Sequence, residues 1–159
     1  LNMVKAEGLS GFSDFALGTQ YCKVVTNGND DGIGSLRFAI AQCSNPEDYI
    51  YIAEFIDSIF LVSDTIILDK NLSIFHSGNE KVVIQTTSSS PVFKTNPGVL
   101  ITLNNIEIHS GGVASSKALL NNGNTILWNV DIINSIPGEI PVMNTGILEI
   151  SETVQIKNQ

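Results

Sequence analysis

The chain has few charged side chains, a single arginine and two cysteines. Charged residues make up 15% of its 159 residues, well below the roughly 25% of a typical soluble domain. This shortage does not predict disorder, because 43% of the residues are hydrophobic and the length suits one domain with a buried core. Asn, Ser, Thr and Gly replace the missing charge, and these residues are typical of short strands joined by tight turns.

The balance of charge excludes two classes of partner. Eight basic residues oppose sixteen acidic ones, so the formal net charge is −8. Nucleic-acid binding needs a basic footprint, which the sequence does not have. An anionic membrane surface would repel the chain, and no apolar run reaches the roughly 18 residues of a membrane span. We therefore expect no nucleic acid and no membrane insertion, whereas neutral glycans or calcium are compatible with the charge.

The start of the chain has neither an initiator Met nor a visible signal peptide. We expect a fragment of a longer protein, whose other domains are then partners within the same polypeptide. Residues 1–20 show no clear periodicity and are predicted to be a linker or the end of a preceding module.

Cys22 and Cys43 lack the spacing of zinc ligands, and no cluster of His and Cys accompanies them. A disulfide between them would close a loop of about twenty residues and stabilise the fold by roughly 3 kcal/mol. Two unrelated buried thiols are the alternative. The extracellular character of the rest of the chain favours the disulfide.

One segment predicts a helix, at about residues 35–43. Ser35 suits the N-cap position, and Leu36, Ala39 and Ile40 recur at the i, i+3, i+4 spacing of an apolar helix face. A glycine-rich turn at 27–34 precedes it. From about residue 50 onward the pattern changes to fourteen short apolar runs separated by turn residues, which predicts an all-β fold.

An internal repeat specifies the kind of β fold. Three segments, beginning at Pro91, Lys117 and Ile140, each contain a glycine and a closing strand. The glycines are Gly98, Gly123 and Gly146, and the closing strands, 106–108, 130–132 and 154–156, recur at a spacing of 24. A period in the twenties with short strands and no helix in each repeat is typical of a β-solenoid.

We therefore predict a right-handed parallel β-helix, a single-stranded solenoid, as one domain over residues 21–159 with coils at about 50–159. An uncovered solenoid end exposes apolar side chains and strand edges. The helix is predicted to cap the N-terminal end, with Leu36, Phe38 and Ile40 covering the first rung. A β-sandwich stays open as the alternative, since regularly spaced short strands also suit it.

The stretch VVTNGNDDGIGSLRFAIAQ resembles the start of bacterial surface β-helix proteins, and ILDKNLSIFHSG resembles their first rung. These proteins are similar to polymorphic outer-membrane-protein and adhesin repeats with an N-terminal GSLRxAI capping motif. The residues that match the motif are Asn29, Asp31, Gly32, Gly34, Ser35, Leu36, Arg37, Ala39 and Ile40. The resemblance covers about residues 22–159 and implies a bacterial β-helix that is secreted or displayed at the cell surface. It implies no particular activity, because a fold does not fix function. The segment GFSDFALG near the start of the chain is similar to segments that join modules in secreted proteins of Bacteroidetes-type bacteria.

The register of the repeat predicts one outward column of polar side chains. The middle residues of the closing strands, Ser73, Glu107, Asp131 and Gln155, are expected to stack about 4.8 Å apart. Glu107 and Asp131 are the candidate catalytic pair, because two close carboxylates can divide acid and base roles or share calcium. An ordinary solvated polar column is the alternative, and we expect no basic residue beside the pair.

Three asparagines are predicted to form a structural ladder at one corner of the solenoid: Asn71, Asn105 and Asn129. The loop at 27–32 suggests calcium, with Asp30 and Asp31 as candidate ligands, although it lacks the ligand spacing of an EF-hand. Turn chemistry is the alternative there, in which Asn29 or Asp31 caps the helix or bonds Arg37.

Two further groups are candidates for binding. His76 and His109 follow their strands in similar contexts and are expected in turns, where a metal site is the alternative. Tyr49, Tyr51 and Trp128 are the candidates for stacking on sugar rings, and for Trp128 a place in the core is the preferred prediction.

Three functions remain from the sequence. The first is a non-catalytic extracellular surface module for adhesion or glycan contact, with a polysaccharide or a host or cell-surface glycan as partner and no cofactor other than calcium. The second is a polysaccharide lyase or glycoside hydrolase on the same fold, which predicts a basic neighbour for Glu107 or Asp131. The third is a structural stalk.

Overall fold

The computed structural model describes residues 21–44, 48–112, 114, 116–151 and 153–158, and for Tyr21 and Cys22 it describes the backbone alone. The predicted linker at 1–20 lies outside the described residues. The described residues form a parallel β-helix of about five turns, which is mostly strand with one short helix. The strands are β1 (Tyr21–Val25), β2 (Asp48–Ile52), β3 (Ser58–Leu61), β4 (Ile66–Leu68), β5 (Leu72–His76), β6 (Val82–Thr86), β7 (Phe93–Thr95), β8 (Leu100–His109), β9 (Leu119–Asn121), β10 (Asn124–Asn134), β11 (Val142–Asn144), β12 (Ile147–Ile150) and β13 (Gln155–Asn158), and the helix is α1 (Leu36–Gln42).

The strands form three faces, and every strand pair is parallel. The first face runs β1, β2, β5, the first half of β8, the first half of β10 and then β12. The second face runs β3, β6, the second halves of β8 and β10, and then β13. The third face runs β4, β7, β9 and β11. Each coil therefore visits the three faces in order before the next coil repeats them.

The core is the inside of this coil, and it is built by alternation along each strand. On the first face, Ile50, Ile74, Leu103 and Leu127 are neighbours in register and are 0% exposed. The residues between them point outward. Burying one such side chain contributes roughly 1.5–3 kcal/mol, and each rung obtains that burial only from the rungs on either side.

Asparagines make the corner between the first and second faces in the third and fourth coils. Asn105 and Asn129 have φ of 59° and 50°, the left-handed conformation that turns the chain sharply within one strand. Asn129 Nδ2 donates to Asn105 Oδ1 at 2.8 Å, and Asn105 Nδ2 donates to the carbonyl oxygens of His76 at 3.1 Å and Gly78 at 2.7 Å. The predicted corner ladder is confirmed for these two asparagines.

The prediction of a corner ladder is wrong for Asn71, and the prediction of a shared outward column with Glu107 and Asp131 is wrong for Ser73. Asn71 precedes β5 at the corner between the third and first faces, where its Oδ1 accepts a hydrogen bond from the backbone nitrogen of Leu100 at 2.8 Å. Ser73 lies on the first face opposite Tyr49 and Thr102. The reason is a turn at 77–81, which replaces the one-residue asparagine corner in the second coil and shifts the strands that follow.

A second polar ladder crosses the interior at the end of the third face. Thr95 Oγ1 donates to Asn121 Oδ1 at 2.5 Å, and Asn121 Nδ2 donates to Asn144 Oδ1 at 2.7 Å. Thr95 and Asn121 are 0% exposed, so these bonds replace the water that the polar atoms lose. Gly146 follows this ladder with its backbone against the rung before it, where an added Cβ would lie 2.0 Å from the carbonyl oxygen of Gly123.

The helix lies within the predicted segment and is capped as predicted, since Ser35 Oγ accepts from the backbone nitrogen of Phe38 at 3.1 Å. Its buried residues are Leu36, Ala39 and Ile40, which join the core beside β1 and β2. The expectation that Phe38 belongs to the lid is wrong, because Phe38 is half-buried and Ala39 takes that place.

The end of the helix is held by a lysine and followed by a disulfide. Lys70 Nζ donates to the carbonyl oxygens of Ile40 at 3.1 Å and Cys43 at 2.6 Å, which satisfies acceptors that a helix leaves unpaired at its C-terminus. Cys43 is disulfide-bonded and 2% exposed. The backbone of Cys22 lies in β1, and its side chain is outside the described residues.

The asparagine corner can be tested with a pair of substitutions. Asn105→Gly keeps access to positive φ and removes the amide bonds, whereas Asn105→Ala also imposes left-handed strain of about 1–2 kcal/mol. Both substitutions leave the carbonyl oxygens of His76 and Gly78 without the Asn105 amide. Because only the alanine variant adds backbone strain, we expect Asn105→Ala to lower the free energy of unfolding by about 2–4 kcal/mol and Asn105→Gly to lower it by less. Urea unfolding measures both.

The exposed neighbour Asn104 provides the control, since Asn104→Ala is expected to change the free energy of unfolding by no more than about 0.5 kcal/mol. Equal effects at positions 104 and 105 would contradict the structural role of the corner.

Candidate functional site

The most distinctive surface is the outer side of the first face, which we call the aromatic face. It comprises Tyr49, Tyr51, Asn71, Ser73, Phe75, Leu100, Thr102, Asn104 and Trp128. These side chains point outward because they alternate with the buried positions of β2, β5, β8 and β10, and Asn71 lies in the turn beside them. None of these nine side chains carries a charge, and the acidic Glu149 of β12 lies two rungs beyond Thr102 in the same outward column.

Aromatic side chains of this face follow one column across four rungs. Tyr51 is the register neighbour of Phe75, Phe75 of Asn104, and Asn104 of Trp128. The Tyr51 and Phe75 rings meet edge to face, with centroids 5.5 Å apart. Trp128 lies three rungs from Tyr51, which is about 14 Å along the axis.

The prediction that Trp128 belongs to the core is wrong. Trp128 is 55% exposed, and Tyr49, one column away, is 43% exposed. Trp128 directly precedes the left-handed Asn129, and this places its side chain outward, as Asn104 lies outward before Asn105. The aromatic residues that were candidates for sugar stacking therefore share one surface.

A shallow depression lies beside Tyr49 on this face. It is lined by Tyr49, Asn71, Ser73, Leu100 and Thr102, with Leu72 at its floor. The combination of an apolar ring, an apolar side chain and short polar groups offers both stacking and hydrogen bonding. Aromatic rings with a polar neighbour are typical of sites that hold a partly apolar, partly hydroxylated ligand.

A second surface, which we call the polar depression, contains the predicted carboxylate pair. Glu107 and Asp131 are register neighbours on the second face, as predicted, and Gln155 follows Asp131 in the same column. Val83 occupies the place predicted for Ser73. The lining of the depression is Asn79, Glu80, Lys81, Glu107, Asn129 and Asp131.

Each of the two carboxylates has a basic neighbour. The prediction that no basic residue lies beside Glu107 and Asp131 is therefore wrong. Lys81 Nζ lies 2.8 Å from Asp131 Oδ1, an ion-pair distance whose angles do not suit a hydrogen bond. Glu107 Oε1 contacts His109 Nε2. The signal for Lys81 was in the sequence, because Val82 stands 24 residues before Ile106 and so begins a second-face strand that the repeat alignment missed.

The two histidines do not lie at equivalent positions. His76 ends β5 on the first face, is 6% exposed, and its Nδ1 is 3.0 Å from the carbonyl oxygen of Glu80. His109 lies on the second face beside Glu107, opposite Gln85. The alternative of a shared metal site is wrong for this pair, since the faces point in different directions.

Asp30, a predicted calcium ligand, is occupied by protein groups. Its Oδ1 accepts from Arg37 Nη2 at 2.8 Å, and its Oδ2 accepts from the backbone nitrogen of Ser63 at 2.7 Å and from the Ser63 hydroxyl. Arg37 Nη2 also donates to the carbonyl oxygen of Asp64 at 2.6 Å. This cluster, the Asp30 clamp, ties the capping segment to the turn after β3.

The neighbouring candidates in this loop have local roles. Asp31 Oδ1 accepts from the backbone nitrogen of Gly32 at 2.7 Å, and Asn29 donates its backbone nitrogen to Asn27 Oδ1 at 3.1 Å. The partner of Arg37 is Asp30, so the expected bond from Asn29 or Asp31 is wrong. Among the residues that the structure describes, no group of three or more His, Cys, Asp or Glu side chains is arranged to hold a metal ion.

The pKa of Asp30 reflects the clamp. Burial by itself would raise it, but the hydrogen bonds from Ser63 and Arg37 and the charge of Arg37 lower it by more. The pKa of Asp30 therefore lies below its ordinary value of 3.8.

Comparisons with models of known protein families, with curated proteins and with solved structures gave no match to this chain. In the described part of the chain, no helix is long and apolar enough to cross a membrane.

The Asp30 clamp predicts a pH-dependent effect of one substitution. Because folding lowers the pKa of Asp30, the carboxylate stabilises the fold above its unfolded pKa, and this contribution is lost as the pH falls through the folded pKa. We expect Asp30→Asn to lower the free energy of unfolding at neutral pH by about 1–3 kcal/mol. The difference in free energy of unfolding between this variant and the unsubstituted chain is then expected to become smaller below about pH 4.

Urea unfolding of both proteins at neutral pH and near pH 3 measures the effect, with Asp31→Asn as the matched control in the same loop. An equal difference in free energy of unfolding between Asp30→Asn and the unsubstituted chain at both pH values would contradict the role of the ionised carboxylate.

Proposed function

We propose that the chain is a non-catalytic extracellular module that contacts a neutral glycan through the aromatic face. The exposure of Trp128, at 55%, is the observation that carries the proposal. An exposed tryptophan in the same outward column as Tyr51, with Tyr49 in the next column, is costly to leave in water unless a ligand covers it. Single exposed apolar residues are ordinary, but these three share one surface.

The chemistry of the aromatic face favours a carbohydrate over an apolar partner. Short polar side chains stand between the aromatic ones, notably Ser73, Thr102 and Asn104. Sugar rings present apolar C–H faces and hydroxyl edges, so rings can stack on the aromatic side chains while hydroxyls bond to the polar ones. A straight column of rungs suits a polymer that lies along the axis and meets several side chains in turn.

The absence of charge on the aromatic face favours a neutral ligand. A polyanion would be repelled by a chain of net charge −8 with a single arginine, which is held in the Asp30 clamp. The disulfide of Cys43 supports an oxidising compartment, and the resemblance of the capping motif to bacterial surface β-helix proteins supports secretion or display at the cell surface.

Binding to a panel of polysaccharides tests the proposal. We expect Trp128→Ala to weaken the association with the neutral polysaccharides that bind by about 5- to 30-fold, since loss of a central aromatic contact costs about 1–2 kcal/mol. Isothermal titration and affinity electrophoresis measure the change.

Phe60→Ala is the matched control, because Phe60 is 52% exposed on the second face. Binding that depends equally on Phe60 and Trp128 would contradict the proposed surface. No binding to any polysaccharide would favour the structural stalk.

A second candidate function is polysaccharide cleavage at the polar depression, and one observation favours it: the contact of Lys81 with Asp131. An enzyme needs a group that accepts a proton and another that donates one, and Glu107, Asp131 and Lys81 lie together. Both carboxylates are, however, already engaged, Asp131 by Lys81 and Glu107 by His109.

Release of reducing ends and of unsaturated products from neutral and acidic polysaccharides distinguishes the two functions. As a non-catalytic module, the chain is expected to release neither, with calcium or with a chelator. Release that disappears in Asp131→Asn or Glu107→Gln, while the variants still fold, would replace the binding function with an enzymatic one.

A further inference from the structure

The two most exposed aromatic side chains of the aromatic face lie on different rungs. Tyr49, in β2, is 43% exposed, and Trp128, in β10, is 55% exposed. The other two aromatic residues of the face, Tyr51 and Phe75, pack edge to face on each other and are half-buried. The face therefore offers one accessible aromatic side chain at each end.

The solenoid fixes the distance between Tyr49 and Trp128 along its axis. Their strands, β2 and β10, are separated on the first face by β5 and β8, so the two side chains lie three rung spacings apart. At about 4.8 Å for each rung, the separation along the axis is about 14 Å. Short polar side chains lie between them, because Ser73 and Thr102 continue the column of Tyr49 and Asn104 precedes Trp128 in its own column. A ligand that touches both aromatic side chains must cross these polar groups in a nearly straight line.

Charged side chains lie beyond both ends of this path. Lys23 is exposed in β1, the strand before β2. Glu149 is exposed in β12, the strand after β10, one rung beyond Ile126 in the column of Tyr49. On the four strands between β1 and β12, the outward positions of this face carry no charge. A neutral ligand therefore fits a strip four rungs long.

A straight path selects the shape of the glycan. Where sugar rings are joined 1,4 through equatorial bonds, the chain is an extended ribbon, and each ring advances it by about one rung spacing. Its C–H faces can stack on aromatic side chains, and its hydroxyl edges can bond to polar ones. The axial bond of an α-1,4-linked chain instead curves the chain into a helix, which takes its rings off a straight line.

We infer that the aromatic face binds a straight, neutral, β-1,4-linked glycan along the solenoid axis, and that four consecutive rings fill the face. The first ring stacks on Tyr49 and the fourth on Trp128, while Ser73, Thr102 and Asn104 bond to hydroxyls of the rings. This inference rests on the proposed function and adds to it the class and the length of the ligand.

Isothermal titration with oligosaccharides of two to six rings tests the inference. The probes are β-1,4-linked cello-, manno-, xylo- and N-acetylchito-oligosaccharides. Malto-oligosaccharides are the matched control, since they contain the same sugar as the cello series and differ only in the anomeric bond. For at least one β-1,4-linked series, we expect four rings to bind about 5- to 30-fold more tightly than three, because only four rings reach both aromatic side chains. A fifth or sixth ring is expected to add little, and the malto series to show no such step.

Substitutions at Trp128 show whether the step arises at the proposed place. Trp128→Ala is expected to bring the affinities for three and four rings together, because the fourth ring then has no aromatic partner. Trp128→Phe keeps an aromatic ring and is expected to retain most of the step. Phe60→Ala, on the second face, is expected to leave the step unchanged. Circular dichroism of each variant checks that the β fold is retained.

The outcomes separate this inference from the proposed function. If a neutral polysaccharide binds through Trp128 but malto-oligosaccharides bind as tightly as every β-1,4-linked series, the inference is overturned and the proposed function stands. An affinity that rises evenly with length, or a step that survives in Trp128→Ala, would overturn the inference in the same way. Failure of every neutral polysaccharide to bind would contradict the proposed function itself, and the inference with it.

Discussion

The structure depends on the parallel pairing of each coil with the next. A single coil of about two dozen residues cannot bury its inner face or pair its strand edges, so each rung is stable only between neighbours. The inward column from Ile50 to Leu127 shows this dependence, because each residue is covered by the one above it and the one below. The same dependence explains why the buried side chains of α1 cover the core beside β1 and β2.

Polar ladders keep the rungs in register where apolar packing alone would not. The amide bond from Asn129 to Asn105 fixes one corner, and the hydrogen bonds that join the buried Thr95 and Asn121 to Asn144 fix the end of the third face. A slip of one residue would expose the core side chains and would also separate these amides from their partners, at the greatest cost for the buried Asn121. Register in turn places the outward side chains, and so the aromatic face depends on these internal bonds.

Much of the fold could be predicted from the sequence because its period is regular in the last three coils. The spacing of 24 between the closing strands placed Glu107 beside Asp131, and Ser35 marked the start of the helix. The second coil could not be placed from the same pattern, since the turn at 77–81 lengthens it. Ser73 was therefore assigned to the wrong face, and the strand that follows Lys81 was missed.

The candidate site was less predictable, because the side to which a strand residue points depends on the corner beside it. Trp128 could be placed outward only by assigning the left-handed conformation to Asn129, which the corner prediction did not include. The contacts of Asp30 with Ser63 join parts of the chain more than thirty residues apart, which no local pattern indicates. Exposure of an aromatic side chain is a property of the packed coils, and composition alone does not report it.

The most direct measurement of the central claim uses the fluorescence of Trp128, the one tryptophan in the chain. Titration with neutral polysaccharides is expected to shift its emission to shorter wavelength in a saturable way, because a stacked sugar ring removes water from the exposed indole. Acidic polysaccharides are expected to leave the spectrum unchanged. Binding of a neutral polysaccharide without any change in Trp128 emission would contradict a glycan contact at the aromatic face.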